Sequence, residues 1–340
     1  MSRGRVLVLM NDYAAPPPNA HESNFDREEV DWVMHYDVIK NLKELGYDVR
    51  PFLLSNDIHA LKQSIEDFDP HIVFNLLFEF AGESILDQNV MSYLELLNIP
   101  FTGSSPRSLV LARNKATAKK ILRYHNLNTP DFCVFPKDQP IKNKINLKFP
   151  VIVKCVCEDA SLGISLSSLV NSEELLYKRV KFLHENYASD AIAEEFIPGR
   201  EISVSIVGNK RLRVFPAWEL LFTHSEAPEQ EFYHYYAKWN TAYRKRKGIC
   251  SKKADISSSL ERELAHCAKA VFRGLGLNGY ARIDFRLTAS GELFVIEANA
   301  NPDISKTEDF SMSAKASGIN YKELLQKIVS MGLRAQSPKV

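Results

Sequence analysis

Val6 to Met10 is an unbroken apolar run, short enough for a strand buried on both faces. After a loop with three consecutive prolines, at 16 to 18, the period changes. Val30, Val33, Val38, Ile39 and Leu42 approximate a 3.6-residue repeat, which predicts a helix around 29–45 stopped by Gly46. Val49 to Leu54, a helix near 57–66, Ile72 to Leu76 and a helix from Ser84 to Leu97 complete a β-α-β-α-β-α pattern. That order favours a parallel sheet with helices outside. The turn-forming stretch from Pro100 to Pro106 closes this first unit.

Beyond that unit, Asn114 is placed to cap a lysine-rich helix running to about His125, and Phe149 to Lys154 reads as a buried strand with one lysine at its end. A loop from Glu158 to Ser165 carries Asp159, Ser161 and Gly163. Ile202 to Val207 alternates as a further strand, and Leu260, Leu264, Ala268, Val271, Phe272 and Leu275 make one face of a helix ending at Gly274 or Gly276. Apolar residues at 283, 285 and 287 then alternate with Arg282, Asp284 and Arg286, as in a half-buried strand with one charged face. After the short loop 288–291, the return strand from Glu292 to Asn299 is expected to carry Leu293, Val295, Glu297 and Asn299 on one face. Phe294, Ile296 and Ala298 take the other.

Length and charge narrow what such a chain does. Its 340 residues suggest two or three domains. With 43 Lys and Arg against 42 Asp and Glu, no global field draws it to nucleic acid or an anionic bilayer, so an anionic ligand must be met by local charge. No apolar run approaches the ~18 residues of a membrane span, and the N-terminus lacks the apolar stretch of a signal peptide. Five scattered cysteines, an odd number, fit a reduced cytoplasmic setting.

Asp284 and Glu297 on neighbouring strands repel, and share a partly buried face only with a cation between them. Asn299 points the same way as Glu297, giving three hard oxygen donors with no Cys or His nearby, which suits Mg²⁺ or Mn²⁺. The charged solvent face of an ordinary hairpin has the same spacing, and spacing alone does not separate the two.

Arg282-Ile-Asp284 followed by Phe294-Val-Ile-Glu297-Ala-Asn299-Ala-Asn301-Pro302 resembles the metal-binding hairpin of the ATP-grasp ligases, in their D-alanine–D-alanine ligase branch. Other pieces stand in the order of that branch: Gly82-Glu83, Pro100-Phe-Thr-Gly-Ser, Asn114-Lys115-Ala-Thr-Ala-Lys119 and Pro150-Val-Ile-Val-Lys154. Glu194-Glu195-Phe196-Ile197-Pro-Gly-Arg-Glu201 and Phe232-Tyr-His-Tyr-Tyr-Ala-Lys238 complete the series, which spans about 72–302.

The resemblance implies an ATP-grasp fold, mixing α/β and α+β. Its parts are an N-terminal parallel-sheet domain (1–103), a small central domain (104–193) and a C-terminal domain (194–330), the last two clamping the nucleotide. It implies that Lys115 and Lys154 neutralise the phosphates, that Glu194 and the backbone of Glu195 and Ile197 take the adenine edge, and that Glu201 takes the ribose. Phe196, Phe232 and Ile296 join the nucleotide site. Asp284, Glu297 and Asn299 hold two Mg²⁺ or Mn²⁺ ions. Arg282 faces the developing oxyanion, Lys238 the γ-phosphate, and Ser161 lies in a flap over the phosphates. The implied activity is ATP-dependent amide formation on amino acids or small peptides through an acyl phosphate, and the branch admits a homodimer.

Departures from the branch cluster around the small substrates. Asp303 replaces a glycine, Ala160 a serine and Trp239 a tyrosine. Ile304-Ser-Lys-Thr-Glu308 puts an acid where an acceptor carboxylate is received, and the loop 11–28 is longer, with Asp12, Glu22 and Asp26. The expected product is therefore not D-alanyl-D-alanine, and the acceptor carries positive charge near Asp303 and Glu308. An authentic D-alanine–D-alanine ligase and an inactive nucleotide-binding regulator are the alternatives.

Overall fold

The computed structural model describes residues 3–140, 145–158 and 162–335. The chain opens with β1 (Arg5–Met10), α1 (Val33–Glu44), β2 (Asp48–Leu53), α2 (Ile58–Phe68), β3 (Ile72–Asn75) and α3 (Asp87–Leu96). The strands form a parallel sheet in the order β2-β1-β3. β1 is apolar throughout because both its faces are covered: Val6, Val8 and Met10 pack towards α1, while Leu7 and Leu9 pack on Leu61, Ile65 and Met91. The helix expected from 29 begins only at Val33, because 27–32 are turns that deliver Arg27 to Asp37.

Next come α4 (Pro106–Arg113) and α5 (Lys115–Tyr124). Asn114 ends the first and caps the second, its Oδ1 accepting from Thr117 N at 2.8 Å. A second sheet contains β4 (Phe132–Phe135), β5 (Val151–Cys155), β6 (Leu169–Val170) and β7 (Ala191–Glu195), in the antiparallel order β4-β7-β5-β6, with α6 (Glu173–Tyr187) against it.

The third sheet is built from β8 (Arg200–Gly208), β9 (Arg213–Val214), β10 (Trp218–Phe222), β11 (Ile249–Lys253), β12 (Gly279–Leu287) and β13 (Leu293–Ala300). Its order is β11-β10-β8-β12-β13, with β9 paired to β8. Between β10 and β12 the chain forms α7 (Tyr235–Trp239), α8 (Thr241–Lys247) and α9 (Ser258–Gly274); after β13 come α10 (Asp309–Ala316) and α11 (Tyr321–Ala335). Ile202, Val204, Ile283 and Phe285 pack with Leu264, Ala268 and Val271 of α9, and Leu122 of α5 joins the same core. Leu324, Leu325 and Ile328 of α11 cross back to cover Val6 and Val8. The C-terminal helix therefore binds the third sheet to the first.

The hairpin β12–β13 departs from simple alternation. Asp284 pairs with Glu297, but Phe285 pairs with Val295, so Ile296 is an extra residue in a β-bulge. One added residue reverses the side-chain parity. Leu293 and Val295 consequently enter the core, and so does Ala298, while Glu297 and Asn299 leave it. The expected shared face of Leu293, Val295, Glu297 and Asn299 is corrected by that bulge. Among the described residues, no helix is long and apolar enough to cross a membrane.

Candidate active site

The bulged hairpin brings four polar residues into register, Asp284 opposite Glu297 and Arg282 opposite Asn299. Arg282 grips Asp284 with two bonds, Nε to Oδ1 at 2.8 Å and Nη2 to Oδ2 at 2.9 Å, and Asn299 Nδ2 donates to the same Oδ2 at 2.7 Å. Lys115 Nζ lies 3.7 Å from Glu297 Oε1. The charge argument from sequence required an ion between the carboxylates; in the fold, protein cations already offset them. Burial pushes the Glu297 carboxyl up, but Lys115, Lys154, Arg282 and Lys119 outweigh it and hold it below the usual carboxylate range. Burial likewise works against the Arg282 charge, and Asp284 reverses that effect.

Glu194, at the β7 end of the cleft, has only 1% of its side chain exposed. Its Oε2 meets Lys154 Nζ at 3.0 Å and Lys119 Nζ at 3.5 Å, while Oε1 has no partner among the described residues. Burial raises the Glu194 carboxyl, and the two lysines bring it below its ordinary value. Lys119 is itself sealed in, and burial drives its ammonium down to about 8 against the pull of Glu194. It also donates to the carbonyl of Ile296, the bulge residue, at 2.9 Å. Sequence reasoning assigned Lys119 no role. The signal was available: it lies four positions after Lys115, which puts both on one helix face.

The hinge after β7 narrows the expectation for the base. Glu195 N–H goes to Asp131 O at 2.8 Å and Phe196 N–H to Pro150 O at 3.0 Å, so only that of Ile197 is without a partner among the described residues. The Glu195 carboxylate turns away to accept from Lys148 N at 2.7 Å. Phe196 stands edge-on to Phe232 at 6.1 Å, under the guanidinium of Arg286. Arg286 also donates to Gly199 O and to Glu231 O, and it forms an ion pair with Glu201 Oε2 at 3.0 Å. Burial pushes the Glu201 carboxyl up even so. Arg286 is the second residue that sequence reasoning left without a role.

The segment after β5 and the start of α7 meet where Tyr235 N donates to Ile164 O at 3.0 Å. Phe232 is buried there, whereas Tyr235, Tyr236 and Trp239 are exposed. Burial and the neighbouring Arg282 lower the Lys238 ammonium, which lies 5.0 Å from the Trp239 ring centre. Ser161, with Asp159 and Ala160, lies outside the described residues. The stem of its loop is fixed, since the Glu158 carbonyl accepts from Lys115 Nζ and its carboxylate from Ser84 Oγ at 3.2 Å.

Just past β13 the junction is tight. A Cβ on Gly103, whose φ is +94°, would come within 2.4 Å of Asn301 Oδ1, which itself accepts from Ser104 N at 2.7 Å. Asp303 folds over to accept from Ser305 N and Oγ, yet stays exposed. Partial desolvation by the surrounding protein, then Asp303 and Asp309, push the Glu308 carboxyl up to about 7, although the residue still reaches solvent. Lys306, between them, is tied to α1 and to the long N-terminal loop: its N–H donates to Asp37 Oδ2 at 2.9 Å and its Nζ reaches Glu22 at 3.3 Å.

A parallel-sheet unit followed by two antiparallel sheets whose buried charges meet at Lys115, Lys154, Glu194 and Glu297 is the ATP-grasp architecture of ATP-dependent C–N ligases. Residues 120–330 match the family description "D-ala D-ala ligase C-terminus". The chain belongs to the D-alanine–D-alanine ligase family. It is 32% identical to the D-alanine–D-alanine ligase of Pelagibacter ubique, over 86% of this chain and 90% of that one. An uncharacterized protein of Sinorhizobium fredii is 33% identical, over 87% of this chain and 86% of the relative. Among solved structures, the D-alanine–D-alanine ligase of Bacillus anthracis complexed with ATP superposes with a TM-score of 0.76 at 24% identity, covering 98% of both chains.

Proposed function

We propose that this chain joins an amino-acid or peptide carboxylate to an amine at the expense of ATP, and that its product is not D-alanyl-D-alanine. The observation that carries the reading is the register pair Asp284–Glu297, held with Asn299 beside Lys115, Lys154 and Arg282. In this reading the donor carboxylate attacks the γ-phosphorus, forming an acyl phosphate and releasing ADP. The acceptor amine then adds to the acyl carbon, and the tetrahedral adduct expels phosphate.

Lys115 and Lys154 neutralise phosphate charge. Lys119 and Glu194 hold Lys154 in place, and Ile197 N–H is left for the base. Glu201, steadied by Arg286, suits the ribose hydroxyls. Arg282 turns from Asp284 towards the oxyanion, and Lys238 with Ser161 closes over the phosphates. Two carboxylates and a carboxamide fit a hard divalent ion; Asp284, Glu297 and Asn299 would hold Mg²⁺, which supplies charge neutralisation on the phosphate oxygens. The three sheets support three units, with the last division between β7 and β8 rather than at 193, and five unpaired thiols support a cytoplasmic setting.

The exposed acids Asp303 and Glu308 support an acceptor that is cationic near them. Phosphate release with ATP, Mg²⁺ and panels of amino acids and peptides tests the whole reading. Turnover with substrates other than D-alanine is expected, and Asp284→Asn and Glu297→Gln are expected to abolish it without changing far-UV circular dichroism. Release exclusive to D-alanine would overturn the product assignment, and full activity in either variant the metal assignment.

A further inference from the structure

A cavity of about 300 Å³ opens between the long N-terminal loop and the third sheet. Its lining includes Glu28 from the loop, Thr223 after β10, Thr241, Arg244 and Lys245 from α8, and Cys250 from β11. That volume is at the lower end of small-molecule sites, suited to the end of a ligand rather than the whole of one.

The basic residues of α8 do not all serve the helix. Cations at a helix C-terminus often do no more than complement its dipole. Here Arg246 lies over the Tyr243 ring and Lys247 pairs with Glu231 at 2.7 Å, both outside the cavity lining. Arg244 makes one contact at the limit of a hydrogen bond, 3.5 Å to Lys238 O, and so keeps most of its donors. Lys245 and Glu28 are exposed, and their side chains have no ion pair among the described residues. Thr223 is already spent, donating to Gly248 O at 2.9 Å.

The cavity adjoins the cleft on its substrate side. Arg244 touches the backbone of Lys238, and Ser251, next to Cys250, donates to Asp309 Oδ2 at 3.3 Å. Asp309 feels the charges of both Arg282 and Arg244.

We propose that this cavity is a subsite for the distal carboxylate of an elongated acceptor, a short peptide with a free C-terminus, held by Arg244 and Lys245. The proposal rests on the ligase reading, so its test separates the two. The probes are alanyl-alanine in its four stereoisomers and the matching C-terminal amides. Binding is measured by calorimetry on the full chain with ADP and Mg²⁺, which needs no turnover, and acceptor KM by phosphate release.

At least one free acid is expected to bind tenfold or more tightly than its amide. Lys245→Ala and Arg244→Ala are expected to raise its Kd and acceptor KM about tenfold, leaving the KM for ATP unchanged, while amide binding does not respond. The Lys245 variant guards against disturbance of the Lys238 segment, because among the described residues its side chain has no hydrogen bond or ion pair there. Selective binding without ligation would sustain the subsite and overturn the ligase reading. Equal affinity for acids and amides, no binding of any acid, or full affinity in both variants would overturn the subsite, whatever the chain ligates.

Discussion

Lys119→Met removes the cation that sits behind Glu194 and the bulge. Lys119 titrates near 8 in the folded protein and has an ordinary value of 10.5. Between those values the unfolded chain holds a proton that the folded chain has released. Unfolding therefore becomes less favourable as pH rises, by ~1.4 kcal/mol per unit. Across the 2.5 units the wild type gains ~3 kcal/mol from this group alone. With only 2% of its side chain exposed, Lys119 has little solvent screening to reduce that figure.

Methionine keeps an unbranched apolar stem of nearly the same length but cannot titrate, so the gain disappears. The assay is urea unfolding followed by tryptophan fluorescence at several pH values from 7 to 10.5, with wild type and variant compared at each. Their difference cancels the other tyrosines, cysteines and lysines titrating in this range. The wild type should gain on the variant steadily above pH 8. Parallel curves would refute the placement of a charged, dehydrated lysine against Glu194. The variant also loses the bond to Ile296 O, which steadies the strand carrying Glu297, and should bind ATP more weakly.

Asp37 is completely buried, accepting from Arg27 Nη1 at 3.1 Å and from Lys306 N–H. Asp37→Asn leaves Arg27 without its counterion at a cost of ~2–3 kcal/mol, below the range for a fully buried pair because Arg27 is 27% exposed. Hydrogen exchange should show 11–32 and 303–308 loosening together; loosening of one alone would refute the tie. Glu308 ionises around 7, so kcat/KM for a cationic acceptor should rise through that pH and flatten in Glu308→Gln. Its raised carboxyl also makes the folded state the better proton binder between about 4.5 and 7, so this group's contribution to stability falls as pH rises through that window. An unchanged pH profile in the variant would remove Glu308 from the acceptor site.

Local chemistry was legible in the sequence wherever a short-range rule governed it. The Asn114 cap, the end of α9 at one of the two glycines Gly274 and Gly276, and the opposition of Asp284 to Glu297 all depend on residues within a few positions or one strand spacing. The bulge at Ile296 was not legible, because alternation carries no mark of an inserted residue and the pattern fits a regular strand equally well. α4 went unread because it starts at Pro106, the last residue of the stretch that reads as turn chemistry, though Ser105 followed by Pro106 is also a helix start. The Asp37–Lys306 contact spans 269 residues, and no local rule joins such positions. Lys119 and Arg286 were overlooked for a related reason: as single cations they resemble solvated ones, and only the tertiary fold shows how deeply each is held.

Charge is committed differently at the two ends of the cleft. On the proposed nucleotide side, Glu194 is set between Lys154 and Lys119, and Glu201 against Arg286, mostly out of water. Breaking such a pair strands its partner, so that end resists change. On the proposed acceptor side, Asp303, Glu308, Glu28 and Lys245 reach solvent. Substitutions at exposed positions of this kind usually move stability by less than ~0.5 kcal/mol. Acceptor preference can therefore shift in this scaffold with little cost to the ATP-handling half, which is the division seen where the sequence keeps the branch's motifs and where it departs from them.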